Sequence, residues 1–326
     1  FVAAFITNIF ISRRIVKLTK AAIAYTECED KVHNKGFFKD VNIKSNDEVG
    51  ALCRVMVSME AQINDYIENI TKITAEKQRI STELDVAANI QKSMLPSVFP
   101  PFPEYDSFDI RASMTPAKEV GGDFYDFFLV DEDHLGLVIA DVSGKGVPAS
   151  LVMVIAKTLI NNQTMTGGSP DEILEKVNNI LCANNYQMMF VTVWLGIMEI
   201  STGKIIASNA GHEYPIIKGA EGNYEIIRDK HGLALGCMEN MKYTEYEFVL
   251  EEGGCLYLYT DGVPEATRSD DVQFGMDRTL ETLNTDVNAD PEKVIKNMVD
   301  TVNTFVDGAP PFDDMTMLVI ERKRKK

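Results

Sequence analysis

Residues 135–149 read Leu-Gly-Leu-Val-Ile-Ala-Asp-Val-Ser-Gly-Lys-Gly-Val-Pro-Ala. Leu135 to Ala140 is an aliphatic run of the kind that forms a buried strand, and it ends on a carboxylate, Asp141. Pro148 suits a first helical turn, so a helix is expected over Pro148 to Asn161. Working outward, Phe190 to Ile200, Lys204 to Ser208, Tyr243 to Leu250, Leu256 to Tyr259 and Met315 to Ile320 read as further strands. Ser201-Thr-Gly203 reads as a hairpin connection, and helices are expected over Pro170 to Asn185 and Pro291 to Phe305. Strand blocks alternating with helix pairs predict an α+β sandwich of about 220 residues.

Three more aspartates share the setting of Asp141. They are Asp123 in Val120-Gly-Gly-Asp-Phe-Tyr-Asp126, Asp261 in Tyr259-Thr-Asp-Gly262, and Asp313 in Pro311-Phe-Asp-Asp-Met-Thr316. A single carboxylate at a strand end is an ordinary turn former. Four in one acidic domain point to convergence, and converging carboxylates repel unless a cation neutralises them. Hard divalent ions prefer oxygen ligands, which makes Mn²⁺ or Mg²⁺ the natural guest. Two such ions about 3.5–4 Å apart could share one aspartate and activate a water.

Composition narrows the alternatives. Of 326 residues, 45% are hydrophobic and 25% charged, a globular balance that excludes wholesale disorder. The net charge is −17, and residues 101–320 hold 36 acidic against 14 basic side chains, which excludes sequence-independent nucleic-acid binding. With only four histidines, a metal site must lean on carboxylates. Five cysteines without a Cys-x-x-Cys pair argue against a disulfide framework and for a reduced, cytosolic setting. Cysteine-based phosphoester hydrolysis needs an arginine six places beyond the cysteine. Asn34, Met59, Met188, Tyr243 and Asp261 stand there instead. Gly144-Lys145-Gly146 is not a phosphate loop, since that motif needs a glycine where Ile139 stands and a hydroxyl residue where Gly146 stands.

The first hundred residues are organised differently. Phe1 to Ile6 and Ile9-Phe10-Ile11 are apolar and are followed by Arg13, Arg14, Lys17 and Lys20, so residues 1–11 read as the cytoplasmic end of a transmembrane helix. From Leu52, apolar residues recur at 56, 59, 63, 66, 70 and 73, and again at 80, 84 and 87. That alternation of four and three steps is a heptad seam and predicts a parallel coiled-coil dimer, with polar Lys77 and Gln91 on the same seam. Asp47-Glu-Val-Gly50, between helices expected at Ile15 to Tyr25 and Leu52 to Tyr66, resembles the signature of a HAMP linker. The expected division is a HAMP-like linker over 12–66, a coiled-coil linker helix over 67–96 ending near Pro96, and a catalytic domain over 97–326.

Residues 83–323 resemble the bacterial branch of the metal-dependent PPM (type 2C) serine/threonine phosphatases, that of the sporulation and sigma-factor-regulating phosphatases. The matching segments are Glu83 to Pro96, Val120 to Asp126, Ala140 to Ala149, Asn209-Ala-Gly-His-Glu-Tyr-Pro215, Tyr259 to Ala266, and Asp313-Asp-Met-Thr316. The resemblance implies two antiparallel β-sheets flanked by helices, preceded by the all-α HAMP and coiled-coil segment. It implies a centre of two Mn²⁺ or Mg²⁺ ions with Asp141 bridging, the Val142 carbonyl contributing, Asp123 on one ion, and Asp261 and Asp313 on the other. Asp141 and Asp123 are thus the expected catalytic pair, while Asp126 and Asp314 are neighbours rather than ligands. Eukaryotic relatives carry a histidine where Ser143 stands, which leaves the general acid unassigned. Lys118 is a candidate phosphate contact. His212 reads as a structural turn residue.

The expected activity is hydrolysis of phosphoserine or phosphothreonine on a partner protein by a metal-activated water, in a membrane-anchored homodimer whose domains face the cytoplasm. The resemblance suggests a STAS-type antagonist of an anti-sigma factor as substrate. Leu84, Ala87, Ile90 and Met94, on the helix entering the catalytic domain, are the expected regulatory positions. The competing reading is a dimeric signalling scaffold with a phosphatase-like partner-binding domain.

Overall fold

Cys255-Leu-Tyr-Leu-Tyr259 is a strand in which every residue is buried and successive side chains enter different cores. Leu256 and Leu258 enter one, and Cys255, Tyr257 and Tyr259 the other, as the two-residue period of a strand requires. This strand therefore lies in a sheet covered on both faces. The computed structural model describes residues 8–28, 36–183, 185 and 188–324, and its contacts divide the chain into two units between Glu83 and Leu84.

In the N-terminal unit a π-helical turn at Asn8–Ser12 leads into α1 (Arg13–Glu27). α2 (Glu48–Met94) is one continuous helix that crosses the boundary between the units. The helices expected at Leu52 to Tyr66 and over the coiled-coil segment are thus a single element, because nothing between Gly50 and Leu95 breaks it and the next proline is Pro96. Leu18 of α1, Phe38 and Cys53 of α2 form a small core. Asp47 caps α2 by accepting from the Gly50 N–H at 2.9 Å, and Arg14 pairs with the same carboxylate at 3.1 Å. Glu60 accepts from the N–H groups of Gly36, Phe37 and Phe38 at 2.8, 2.8 and 3.1 Å. No helix among the described residues is long and apolar enough to cross a membrane, and residues 1–7 of the expected membrane segment lie outside them.

Among its described residues, the second unit contains ten strands and four helices after the end of α2. In chain order they are β1 (Phe108–Thr115), β2 (Phe124–Leu129), β3 (His134–Val142), α3 (Val147–Met165), α4 (Pro170–Ala183), β4 (Val191–Glu199), β5 (Lys204–Ala210), β6 (Ile216–Lys218), β7 (Glu225–Ile226), β8 (Glu245–Val249), β9 (Cys255–Tyr259), α5 (Gly275–Thr285), α6 (Pro291–Val306) and β10 (Met315–Arg322). They make two five-stranded antiparallel sheets, ordered β1-β10-β9-β6-β7 and β2-β3-β4-β5-β8.

One core fills the space between the sheets and runs on under α3 and α4, joining Leu258, Leu318 and Ile320 to Phe124, Ile139, Met153 and Leu174. The other lies between the first sheet and α5 and α6, where Tyr257, Met317 and Val319 meet Leu283, Val294 and Met298. The layers run helices, sheet, sheet, helices, which is the expected sandwich. β1, β2, β6, β7 and α5 are additions to the elements anticipated from sequence.

Candidate metal-binding active site

Strand register brings the aspartates together. β2 and β3 pair antiparallel with Phe124 opposite Ala140, so one further step sets Asp123 against Asp141. In the other sheet β9 and β10 pair with Tyr259 opposite Met317, which puts Asp261, just past the end of β9, and Asp313, just before β10, at one edge. Each sheet thus supplies two carboxylates from adjoining strand ends.

These ends meet: the Thr260 hydroxyl beside Asp261 reaches Asp123, and Asp314 beside Asp313 reaches the Gly122 N–H. Asp123 is 1% exposed, and burial, then the Asp141 charge, hold its carboxyl well above the usual range. Asp141 is pushed up to about 6 by burial, opposed by its hydrogen bond with Asp123 and reinforced by Asp313 and Asp314. Asp261 is pushed up to about 7 by burial and then by Asp141 and Asp313. Among these groups Lys145 is the nearby cation, pairing with Asp313 at 2.8 Å and lying 4.6 Å from the Phe312 ring centroid.

Three groups hold the cluster in place. The Thr260 hydroxyl donates to Asp123 Oδ2 at 2.7 Å. Asp314, 4% exposed, accepts from the N–H groups of Ala117 at 2.7 Å and Gly122 at 2.6 Å, and so pins the loop that carries Asp123. Gln91, near the end of α2, donates to the Gly121 carbonyl at 2.6 Å and accepts from its N–H at 3.1 Å.

Sequence reading put Gln91 on the coiled-coil seam. In the folded chain it turns inward, because the buried Gly121 peptide needs both a donor and an acceptor and a carboxamide supplies both. Close approach explains two glycines. A Cβ at Gly262 would lie 1.9 Å from the Asp314 carbonyl oxygen, and one at Gly122 would lie 2.9 Å from the Val142 carbonyl oxygen. The contacts made by Thr260, Asp314 and Gln91 are not legible in the sequence, since Asp123, Gly122 and Gly121, which they hold, lie 137, 192 and 30 residues away.

The remaining expected positions fall as follows. Asp126 points to α3, where Lys157 pairs with it at 2.6 Å. Lys118 is exposed, and the lysine that meets an aspartate of the cluster is Lys145. His212 is buried, with Nε2 3.0 Å from the Tyr259 carbonyl and Nδ1 2.9 Å from Thr192 Oγ1. Ile90 and Met94 are exposed, Leu84 and Ala87 half-buried.

The donor set suits divalent cations: buried oxygen ligands, mutually repelling, with one lysine against an excess of carboxylates. Among the described residues no three His, Cys, Asp or Glu side chains stand in a closed ligand arrangement. Asp123 is held instead by the Thr260 hydroxyl at 2.7 Å. In charge and ligand chemistry the residues fit two hard cations.

Comparison with known proteins agrees with this fold. The profile of the family described as stage II sporulation protein E (SpoIIE) matches residues 131–323. Protein IcfG of Synechocystis is 30% identical over 338 aligned positions, covering 94% of this chain and 51% of that protein. The phosphoserine phosphatase RsbU of Bacillus subtilis is 28% identical over 247 positions, covering 76% of this chain and 72% of RsbU. The chain therefore spans about half of the cyanobacterial relative and more of the bacillar one. Among solved structures, the SiaA-PP2C domain of Pseudomonas aeruginosa superposes with a TM-score of 0.67 at 22% identity, covering 76% of this chain and 98% of that domain.

Proposed function

Since the chain belongs to the SpoIIE family of PP2C-type serine/threonine phosphatases, we propose that it removes phosphate from phosphoserine or phosphothreonine on a partner protein, using the aspartates at the converging strand ends. The observation that carries this reading is the convergence of strand ends from the two sheets, where Asp123 on the loop into β2 accepts from Thr260 at the end of β9 and Asp314 beside Asp313 holds the Gly122 backbone.

Bound there, two Mn²⁺ or Mg²⁺ ions supply a water nucleophile at neutral pH and neutralise the phosphoryl oxygens. Asp141 would be shared between the ions, with Asp123 and the Val142 carbonyl on one side and Asp261 and Asp313 on the other. Thr260 fixes the rotamer of Asp123, and Asp314 holds its backbone. Lys145 keeps Asp313 oriented and offers a positive charge at the cluster edge, a more direct candidate than Lys118 for meeting a phosphate. In the full-length chain, Mn²⁺-dependent hydrolysis of p-nitrophenyl phosphate should be abolished by Asp141→Ala and by Asp261→Ala. Activity retained in either variant would sink the mechanism.

The proposed protein acts as a membrane-anchored dimer with a HAMP-like linker over 12–66, its domains facing the cytoplasm. What supports dimerisation is the seam along α2, where Tyr66, Ile70, Ile73 and Ile80 are 69, 63, 65 and 50% exposed in the single chain and lack apolar cover. Leu84, Ala87, Ile90 and Met94 continue along this helix to Gln91 and the Gly121 peptide, a route by which dimer geometry would bear on the position of Asp123. The likeness to RsbU, a phosphoserine phosphatase, supports a phosphorylated partner protein as substrate, and a STAS-type antagonist is the partner proposed.

A further inference from the structure

Asn178 and Cys182 of α4 and Asn185 just beyond it follow one another at helical spacing, on the side facing the loop 236–240. Asn178 accepts from the Gly236 N–H at 2.9 Å and donates to the Met238 carbonyl at 2.8 Å. Asn185 donates to the Gly236 carbonyl at 2.9 Å. Cys182 sits between these two clamps, and Cys237 sits between the two residues they hold. Both thiols line one cleft of about 420 Å³. Cys182 is half-buried, Cys237 is exposed, and neither is in a disulfide. Burial, then the neighbouring Glu239 and Cys237, push the Cys182 thiol up. Met188 and Met238 share the cleft but contribute no exchangeable proton.

We propose that Cys182 and Cys237 are a reversible disulfide site, closed by peroxides. The exposed Cys237 thiol is the one a peroxide reaches. Its sulfur attacks the O–O bond and becomes a sulfenic acid, and the peroxide leaves as water. The Cys182 thiol then gives up its proton as its sulfur attacks the Cys237 sulfur, the S–S bond forms, the S–O bond breaks, and the hydroxyl departs with that proton as a second water. One peroxide is reduced by two electrons and the thiol pair is oxidised by two. The bridge would replace the side-chain clamp by a covalent one and tie the loop 236–240 to α4. The same wall of the cleft continues into Phe190, whose N–H donates to Ser143 Oγ at 2.8 Å, two residues from Asp141.

The test uses the full chain with hydrogen peroxide at near-stoichiometric dose, alkylation of remaining thiols, and mass spectrometry of the intact protein and its peptides. The expected result is a loss of about 2 Da, the two thiol hydrogens, carried by a single peptide pair joining Cys182 to Cys237. Dithiothreitol should reverse it and Cys237→Ser, a change at an exposed position, should prevent it. The proposal is overturned if both cysteines stay alkylatable, if Cys237 advances to sulfinic acid without bridging, or if the bridge formed involves Cys28 or a second chain.

Discussion

The buried histidine at the end of β5 allows the fold's acid sensitivity to be worked out. His212 is 4% exposed, and burial lowers its pKa from the usual 6.5 to about 4 despite the hydrogen bond to the Tyr259 carbonyl. The folded value lies below the unfolded one, so between them the unfolded chain binds the extra proton and stability falls as pH drops. At about 1.4 kcal/mol per pH unit, the loss from above pH 6.5 to about pH 4 is roughly 3 kcal/mol. That is a large share of the 5–15 kcal/mol typical of a domain. Asp141 and Asp261 act with the opposite sign, since carboxyls whose folded values are raised hold protons that the unfolded chain has shed. Comparison with His212→Gln cancels their contribution. Urea denaturation of both proteins in chelator, from about pH 7.5 to about pH 4, should show the wild-type advantage shrinking by roughly 3 kcal/mol. A difference that stays flat across this window would refute the assignment of a neutral, buried imidazole.

Two further outcomes follow from the loop around Asp123 and the turn after β9. Gln91→Ala should leave both polar groups of the Gly121 peptide unpaired, at about 1–3 kcal/mol each. Calorimetric Mn²⁺ titration should then show affinity reduced tenfold or more, and unchanged affinity would remove Gln91 from the positioning of Asp123. Gly262→Ala would drive a methyl to 1.9 Å from a backbone carbonyl that cannot swing aside. Its urea midpoint should fall by an amount equivalent to about 3 kcal/mol, and a near-neutral variant would mean that the Asp314 backbone yields.

Much of this was legible in the chain because strand ends advertise themselves. Leu135 to Ala140 and Leu256 to Tyr259 are apolar runs with an aspartate just beyond, and Met315 to Ile320 is one with an aspartate just before it. β2 was harder. Phe124-Tyr-Asp-Phe-Phe-Leu129 is buried at its first four positions, Asp126 included, so no apolar–polar alternation announces it. The seam read from Leu52 to Ala87 lies on one helix of 47 residues, α2, since no breaker stands before Pro96. Below the level of elements, the choice of partner escaped the sequence. Lys118 and Lys145 are equivalent as residue types, and only the fold puts Lys145 2.8 Å from Asp313.

The same limit explains Asp314. Adjacent in sequence to the proposed ligand Asp313, it turns inward to collect the N–H groups of Ala117 and Gly122, while Asp313 turns toward Lys145. Side-chain alternation along the chain entering β10 sends the neighbours to opposite sides, so two chemically identical carboxylates take different tasks. One holds a loop by accepting its backbone N–H groups, and its charge helps to raise the proton affinity of Asp123 and Asp141. The scaffold that positions the cluster thereby also deepens its negative potential. A site built in this way is poised for cations because its own supports repel its ligands.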